Sequence, residues 1–131
     1  MSKNLTDTEL DIMTAETVMK WHKKGGMWYD KNDEYMALVS PTTPEGNMYW
    51  HPSTDITYAF LVDKPEWEWN FDEMGDELTI KIWEIDTLVA VCIIPLNRDN
   101  KIAAYCRGRC IAACNACSGK EIGWWNTPAK L

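Results

Sequence analysis

Four of the chain's five cysteines lie in "AAYCRGRCIAACNACSG", residues 103–119, spaced C-x3-C-x3-C-x2-C. Thiols at such spacing have two readings. They can hold a metal or cluster, or they can form one apolar face of a helix. A helix turns about 100° per residue, so Cys106, Cys110, Cys114 and Cys117 fall within one arc, with Ile102, Ala103 and Ala113 in or beside it. Cysteine packs as a small hydrophobe, and small side chains let a helix approach a sheet or a second helix closely. We read the stripe as that packing face. The metal alternative rests on Cys110, Cys114 and Cys117, whose C-x3-C-x2-C spacing matches a cluster motif. Such ligands need a loop that wraps the cluster, and zinc sites usually pair short C-x2-C turns from separate segments. A metal could engage two or three of these thiols if His22 or His51 came close. Redox chemistry is the remaining alternative.

Arg107 and Arg109 flank the cysteine face on opposite sides, next to Gly108. Two guanidinium forks suit phosphate oxygens, so an anion grip is the functional reading and a solvated helix edge the plain one. Gly108 inside a helix costs about 1 kcal/mol relative to alanine, which close approach of a ligand, a second chain or a neighbouring element would explain. Trp124 and Trp125 stand in a polar tail. They either fold back over the domain or serve as a stacking platform or interface anchor. The remaining spacings are weaker. His51, Ser53 and Asp55 lie together in "HPSTD", but helix capping explains the serine and aspartate, and triads are assembled from distant segments. Asp72, Glu73, Asp76 and Glu77 read as a solvated hairpin turn rather than a cation site. There is no phosphate-binding glycine loop. No nucleophile is paired with a base, so we expect a non-enzymatic protein that needs no cofactor.

Bulk composition narrows the partners. The 131 residues suffice for a single domain, 1–131, with one core. The formal charge of −7 disfavours duplex nucleic acid, whose binders carry a basic face. "LVAVCIIPL" is the longest apolar run and is too short to span a bilayer. The opening "MSKNLTDTEL" lacks the apolar core of a signal peptide, so a cytoplasmic protein with free thiols is expected.

The elements that must position these residues follow from periodicity. A first helix is predicted over about 7–23, with Thr6 and Glu9 as a capping box and "GG" at 25–26 ending it. "MWYD" (27–30) and "EYMALVS" (34–40) read as short strands around "KND". "PTTPEGN" (41–47) is a loop, and "MYWH" reads as a third short strand. A second helix of about three turns starts at Pro52, capped by Ser53 or Thr54, and stops before Pro65. "EWEWNFD" (66–72) and "ELTIKIWEI" (77–85) alternate at strand period. "TLVAVCIIP" (87–95) is nearly all apolar, as in a central strand covered on both faces. A third helix spans 101–118, capped by Gly119, and the tail through residue 131 follows. Hairpin-linked strands with helices packed on them give an α+β class: a mainly antiparallel sheet packed by three helices, an α/β/α sandwich.

"AETVMKW" (15–21), "WHPSTDITYAF" (50–60) and "CIAACNA" (110–116) resemble, in this order, the phage ABA sandwich domain, a family of small α/β proteins from phage and prophage genomes. Its first helix commonly reads A-E-x-V-M-G-W, a P-S-T-D-I stretch opens its second, and an Ala-rich helix closes it. Lys20 stands where that family usually has glycine, and four cysteines exceed the family's pattern. The resemblance implies a phage-encoded sandwich protein in the cytoplasm of an infected bacterium. It hands over no activity and no catalytic residue. Joined to Arg107, Arg109, Trp124 and Trp125, it suggests a homo-oligomer that sequesters a small anionic, nucleotide-type ligand as a counter-defence. The alternatives are an inhibitor docked on a host defence or replication protein, and an accessory phage protein with no ligand.

Overall fold

The computed structural model of this chain describes residues 6–38 and 50–118. Its elements run α1 (Asp7–Thr17), β1 (His22–Lys24), β2 (Met27–Tyr29), β3 (Tyr35–Leu38), α2 (Ile56–Ala59), β4 (Trp67–Met74), β5 (Glu77–Glu84), β6 (Thr87–Pro95) and α3 (Lys101–Ser118). The class is α+β, with every strand pair antiparallel. Among the described residues two three-stranded sheets form, β1-β2-β3 and β4-β5-β6, where one was expected.

The predicted capping box is present. The Glu9 amide donates to Thr6 Oγ1 at 3.1 Å, and the Thr6 amide donates to Glu9 Oε1 at 2.9 Å. The helix it starts ends sooner than expected, at Thr17. Lys20 takes the left-handed conformation, φ +62°, and the Trp21 amide reaches back to the Ala15 carbonyl at 3.0 Å. This closure satisfies the Ala15 carbonyl and turns the chain out of the helix. Trp21 then meets Trp50 edge-on, with ring centroids 4.7 Å apart. Gly25 and Gly26, at φ +59° and +80°, are therefore not a helix cap. They form the two-residue turn joining β1 to β2, where both central residues need positive φ.

The second helix is also shorter than predicted: one turn, capped by Asp55 rather than Ser53 or Thr54. Asp55 accepts from the Thr57 amide at 2.9 Å. The Ser53 amide is engaged elsewhere, donating to the carboxylate of Asp11 on α1, also at 2.9 Å. That bond, between residues 42 positions apart, holds residues 52–54 in turns. Within the expected strand "MYWH", Trp50 and His51 are not in a strand, and the rest lies outside the described residues.

β4, β5 and β6 form a meander with β5 in the centre. β6, expected to be central, is an edge strand of this sheet. Its Ala90, Cys92 and Ile94 are buried, while Val89, Val91 and Ile93 on alternate positions are half-buried. Apolarity on both sides of a strand reads as centrality, but the hairpin order decides who pairs with whom.

α3 forms the middle layer. One side lies on β5 and β6, and the other receives α1 and α2. A Cβ on Gly108 would stand 2.5 Å from Ile80 Cδ1 and 3.3 Å from Ile94 Cγ2, so the missing side chain is what lets α3 settle on the sheet. Close packing against the sheet accounts for this glycine. Among the described residues, no helix is long and apolar enough to cross a membrane.

Candidate functional site

The cysteine stripe faces α1 and α2. Cys106, Cys110 and Cys114 are fully buried and Cys117 is half-buried. Cys114 Sγ lies 3.6 Å from Thr14 Oγ1, which itself donates to the Leu10 carbonyl at 2.7 Å. Burial pushes the Cys106 thiol up to about 11, the Cys114 thiol up to about 12, and the Cys110 thiol well above its ordinary value. Neutral thiols with no water around them act here as packing atoms between two helices. Among the described residues, no three His, Cys, Asp or Glu side chains converge as a metal set would, Cys110, Cys114 and Cys117 included.

The two arginines do not converge. Their positions differ by about 200° around α3, and each meets a different carboxylate. Arg107 Nη1 binds Asp7 Oδ1 on α1 at 2.6 Å. Arg107 also lines a shallow pocket of about 260 Å³ with Ile94, Pro95, Asn97, Asn100 and two alanines.

Arg109 is buried. Its Nε donates to the Ala59 carbonyl at 2.7 Å, which secures the end of α2. Its guanidinium carbon stands 4.1 Å from the Trp69 ring centroid and 5.6 Å from that of Phe60. Asp63 completes the cluster, accepting from Trp69 Nε1 at 2.7 Å and facing Arg109 Nη2 at 3.8 Å. Burial lowers the Arg109 pKa, and the Asp63 carboxylate opposes that shift. Arg109 thus clamps α2, α3 and β4 together. As a two-fork anion grip, the pair expected from the sequence is not assembled. Trp124 and Trp125 lie outside the described residues.

What Arg109 supports is a row of aromatic rings along one face of β4. Alternation along β4 sets Trp67, Trp69 and Phe71 on one face. Trp67 and Trp69 meet edge-on at 5.8 Å; Trp69 and Phe71 stack at 5.8 Å with planes 10° apart. Phe71 stacks on Tyr105 of α3 at 5.5 Å. Trp67 is buried, whereas Trp69, Phe71 and Tyr105 are half-buried at the margin of the helix. The row ends at Glu73, which accepts from Tyr105 Oη at 2.6 Å and pairs with Lys101 at 3.2 Å. That hydrogen bond raises the Tyr105 pKa to about 12 and lowers that of Glu73. Glu73 thus ties the end of β4 to α3 through Lys101 and Tyr105. Phe60, on the same guanidinium as Trp69, is 63 % exposed, and the next residue in the chain, Leu61, is 51 % exposed. The W-x-W-x-F pattern was the visible signal for this surface. The position of α3, which covers only part of the row, was not visible.

The "HPSTD" residues are engaged in the fold. His51 Nε2 sits 3.3 Å from Asp55 Oδ2, and Ser53 Oγ donates to the Asp7 carbonyl at 3.4 Å. The unforeseen member is Asp11, whose carboxyl is buried and whose backbone carbonyl accepts from Trp50 Nε1 at 3.1 Å. Burial raises its pKa to about 6 against the Ser53 hydrogen bonds that lower it. Comparison with protein-family models, curated proteins and solved structures finds no match to this chain.

Proposed function

We propose that this chain is a non-enzymatic binding protein that docks on a protein partner through the edge of β4. The observation that carries this reading is the exposed ring of Phe60, which shares the Arg109 guanidinium with Trp69 of the row Trp69, Phe71 and Tyr105. Rigid aromatic side chains next to open apolar ones are typical anchors of protein interfaces. Both arginines already face carboxylates of the chain itself, and a net charge of −7 favours a basic partner over an anion. The resemblance to phage ABA sandwich proteins supplies the context. The partner would be a defence or replication protein in the cytoplasm of an infected bacterium.

The test compares wild type with Phe60→Glu and Trp69→Ala. Proteins captured from bacterial lysate are identified, purified and re-mixed with each form. Wild-type binding that is lost in folded Phe60→Glu supports the reading. Equal binding by all forms refutes it. Native mass spectrometry of the same samples reports whether the chain forms a homo-oligomer.

A second reading has one observation in its favour. The pocket that Arg107 shares with Asn97 and Asn100 offers donors to a small anionic ligand of nucleotide type. Nucleotides that raise the melting temperature of wild type, but not of Arg107→Ala, would support it. Arg109→Ala is the wrong control, because it removes the clamp.

A further inference from the structure

The β5–β6 hairpin turns on two residues, Ile85 and Asp86, between the paired Glu84 and Thr87. Ile85 is held at φ +60°. Two-residue hairpins of this kind favour Asn, Asp or Gly, because a side chain branched at Cβ is badly placed at positive φ. The fold gains little in return, for Ile85 is 81 % exposed, the most open large apolar side chain among the described residues. Neither turn chemistry nor the core explains an isoleucine here. Residues held in such strained conformations concentrate where function needs them.

The surroundings indicate what it would meet. Ile85 borders an open hollow of about 450 Å³ with Glu68, Trp69, Asn70, Trp83 and Asp86. Trp83 pairs with Glu68 on one side and with Leu88, 41 % exposed, on the other. The floor is therefore an indole, and the charged residues of the lining, Glu68 and Asp86, are both acidic. Strand alternation puts Glu68, Asn70 and Trp83 on the opposite face of the sheet from the aromatic row, and β4 is the strand that the two surfaces share.

We propose that the hairpin tip anchors the protein interface, with Ile85 inserted into the partner. The partner segment that crosses the hollow is apolar and flanked by Lys or Arg, its cations set against Glu68 and Asp86. This deepens the docking function proposed above and rests on it.

The experiment is a selection from a random-peptide display library against the full chain, with recovered peptides synthesised and titrated by NMR. Peptides rich in basic and apolar residues, shifting the amides of 83–88, are expected. Their affinity should fall at least about tenfold in Ile85→Asn. That variant suits the turn, so it should melt no lower than wild type, which separates lost binding from lost folding. Affinity should also fall with added salt and in the Glu68→Gln, Asp86→Asn double variant. Recovered peptides without enrichment in Lys and Arg would overturn the proposal, as would an empty selection. So would self-association abolished by Ile85→Asn, which would make a second copy of this chain the occupant. Peptides lost in Phe60→Glu but retained by Ile85→Asn would overturn the anchor and leave the docking function intact. Peptides indifferent to both variants would remove both.

Discussion

Replacing Gly108 with alanine places a methyl group 2.5 Å from Ile80 Cδ1, 3.3 Å from Ile94 Cγ2 and 3.8 Å from Cys92 Sγ. Carbon atoms in contact prefer about 3.5–4.0 Å, so Ile80 must retreat by roughly 1 Å. It is fully buried and has little room to do so. Alanine gains about 1 kcal/mol over glycine inside a helix, while overpacking a core costs about 1–3 kcal/mol. The single variant should therefore lose up to about 2 kcal/mol despite the better helix former. Ile80→Val removes the offending Cδ1 and should cost about 0.5–1.5 kcal/mol by itself. In the double variant the new methyl occupies the space of the lost one. Overpacking and cavity largely cancel while the helix gain of alanine remains, so the double variant should be between wild-type stability and about 1 kcal/mol above it. Urea unfolding of the four proteins gives the coupling energy directly, expected at about 1–3 kcal/mol. Additive effects within about 0.5 kcal/mol would refute the close approach of α3 to β5, as would a Gly108→Ala variant that shows the full helix gain.

Three further predictions concern other parts of the fold. Asp11 has a folded pKa of about 6 against an ordinary 3.8, so its protonated form stabilises the fold and that contribution is lost as pH rises through this window. Asp11→Asn keeps an acceptor for the Ser53 amide; it should match wild type near pH 4 and exceed it above pH 7 by up to about 3 kcal/mol, and a pH-independent difference in urea melts would contradict this. Lys20→Gly should raise stability by about 1 kcal/mol, because φ +62° is costly for a lysine and free of strain for glycine; an unchanged melting temperature would count against the closure of α1 described here. Native protein at pH 8 should label with a thiol reagent at half-buried Cys117 well before Cys92, Cys106, Cys110 and Cys114, which should react only on unfolding; mass mapping that finds Cys110 or Cys114 modified early would refute the packed α1–α3 interface.

Much of the fold was legible because its causes are local. The Thr6–Glu9 box closes within three residues. The alternation in "EWEWNFD" and "ELTIKIWEI" matches the registered partners in β4 and β5, and the small-residue face of 101–118 is α3. The same local logic misread "GG", because glycine serves a helix end and a hairpin turn equally well. It also missed the end of α1, where a lysine adopts the left-handed conformation that glycine favours.

Composition and periodicity by themselves determined the α+β class, the long third helix, the antiparallel hairpins and the acidic surface, since each arises from neighbours in the chain. The tertiary structure alone decided that α3 lies between a sheet and two helices, that β6 is an edge, and that the arginines part company. Arg109 finds Ala59 at a separation of 50 residues, and Arg107 finds Asp7 across 100. Contacts over such separations depend on how whole elements pack, because the energy of burying one face of α3 on Ile80 and the other on Thr14 sets where every side chain on that helix must point.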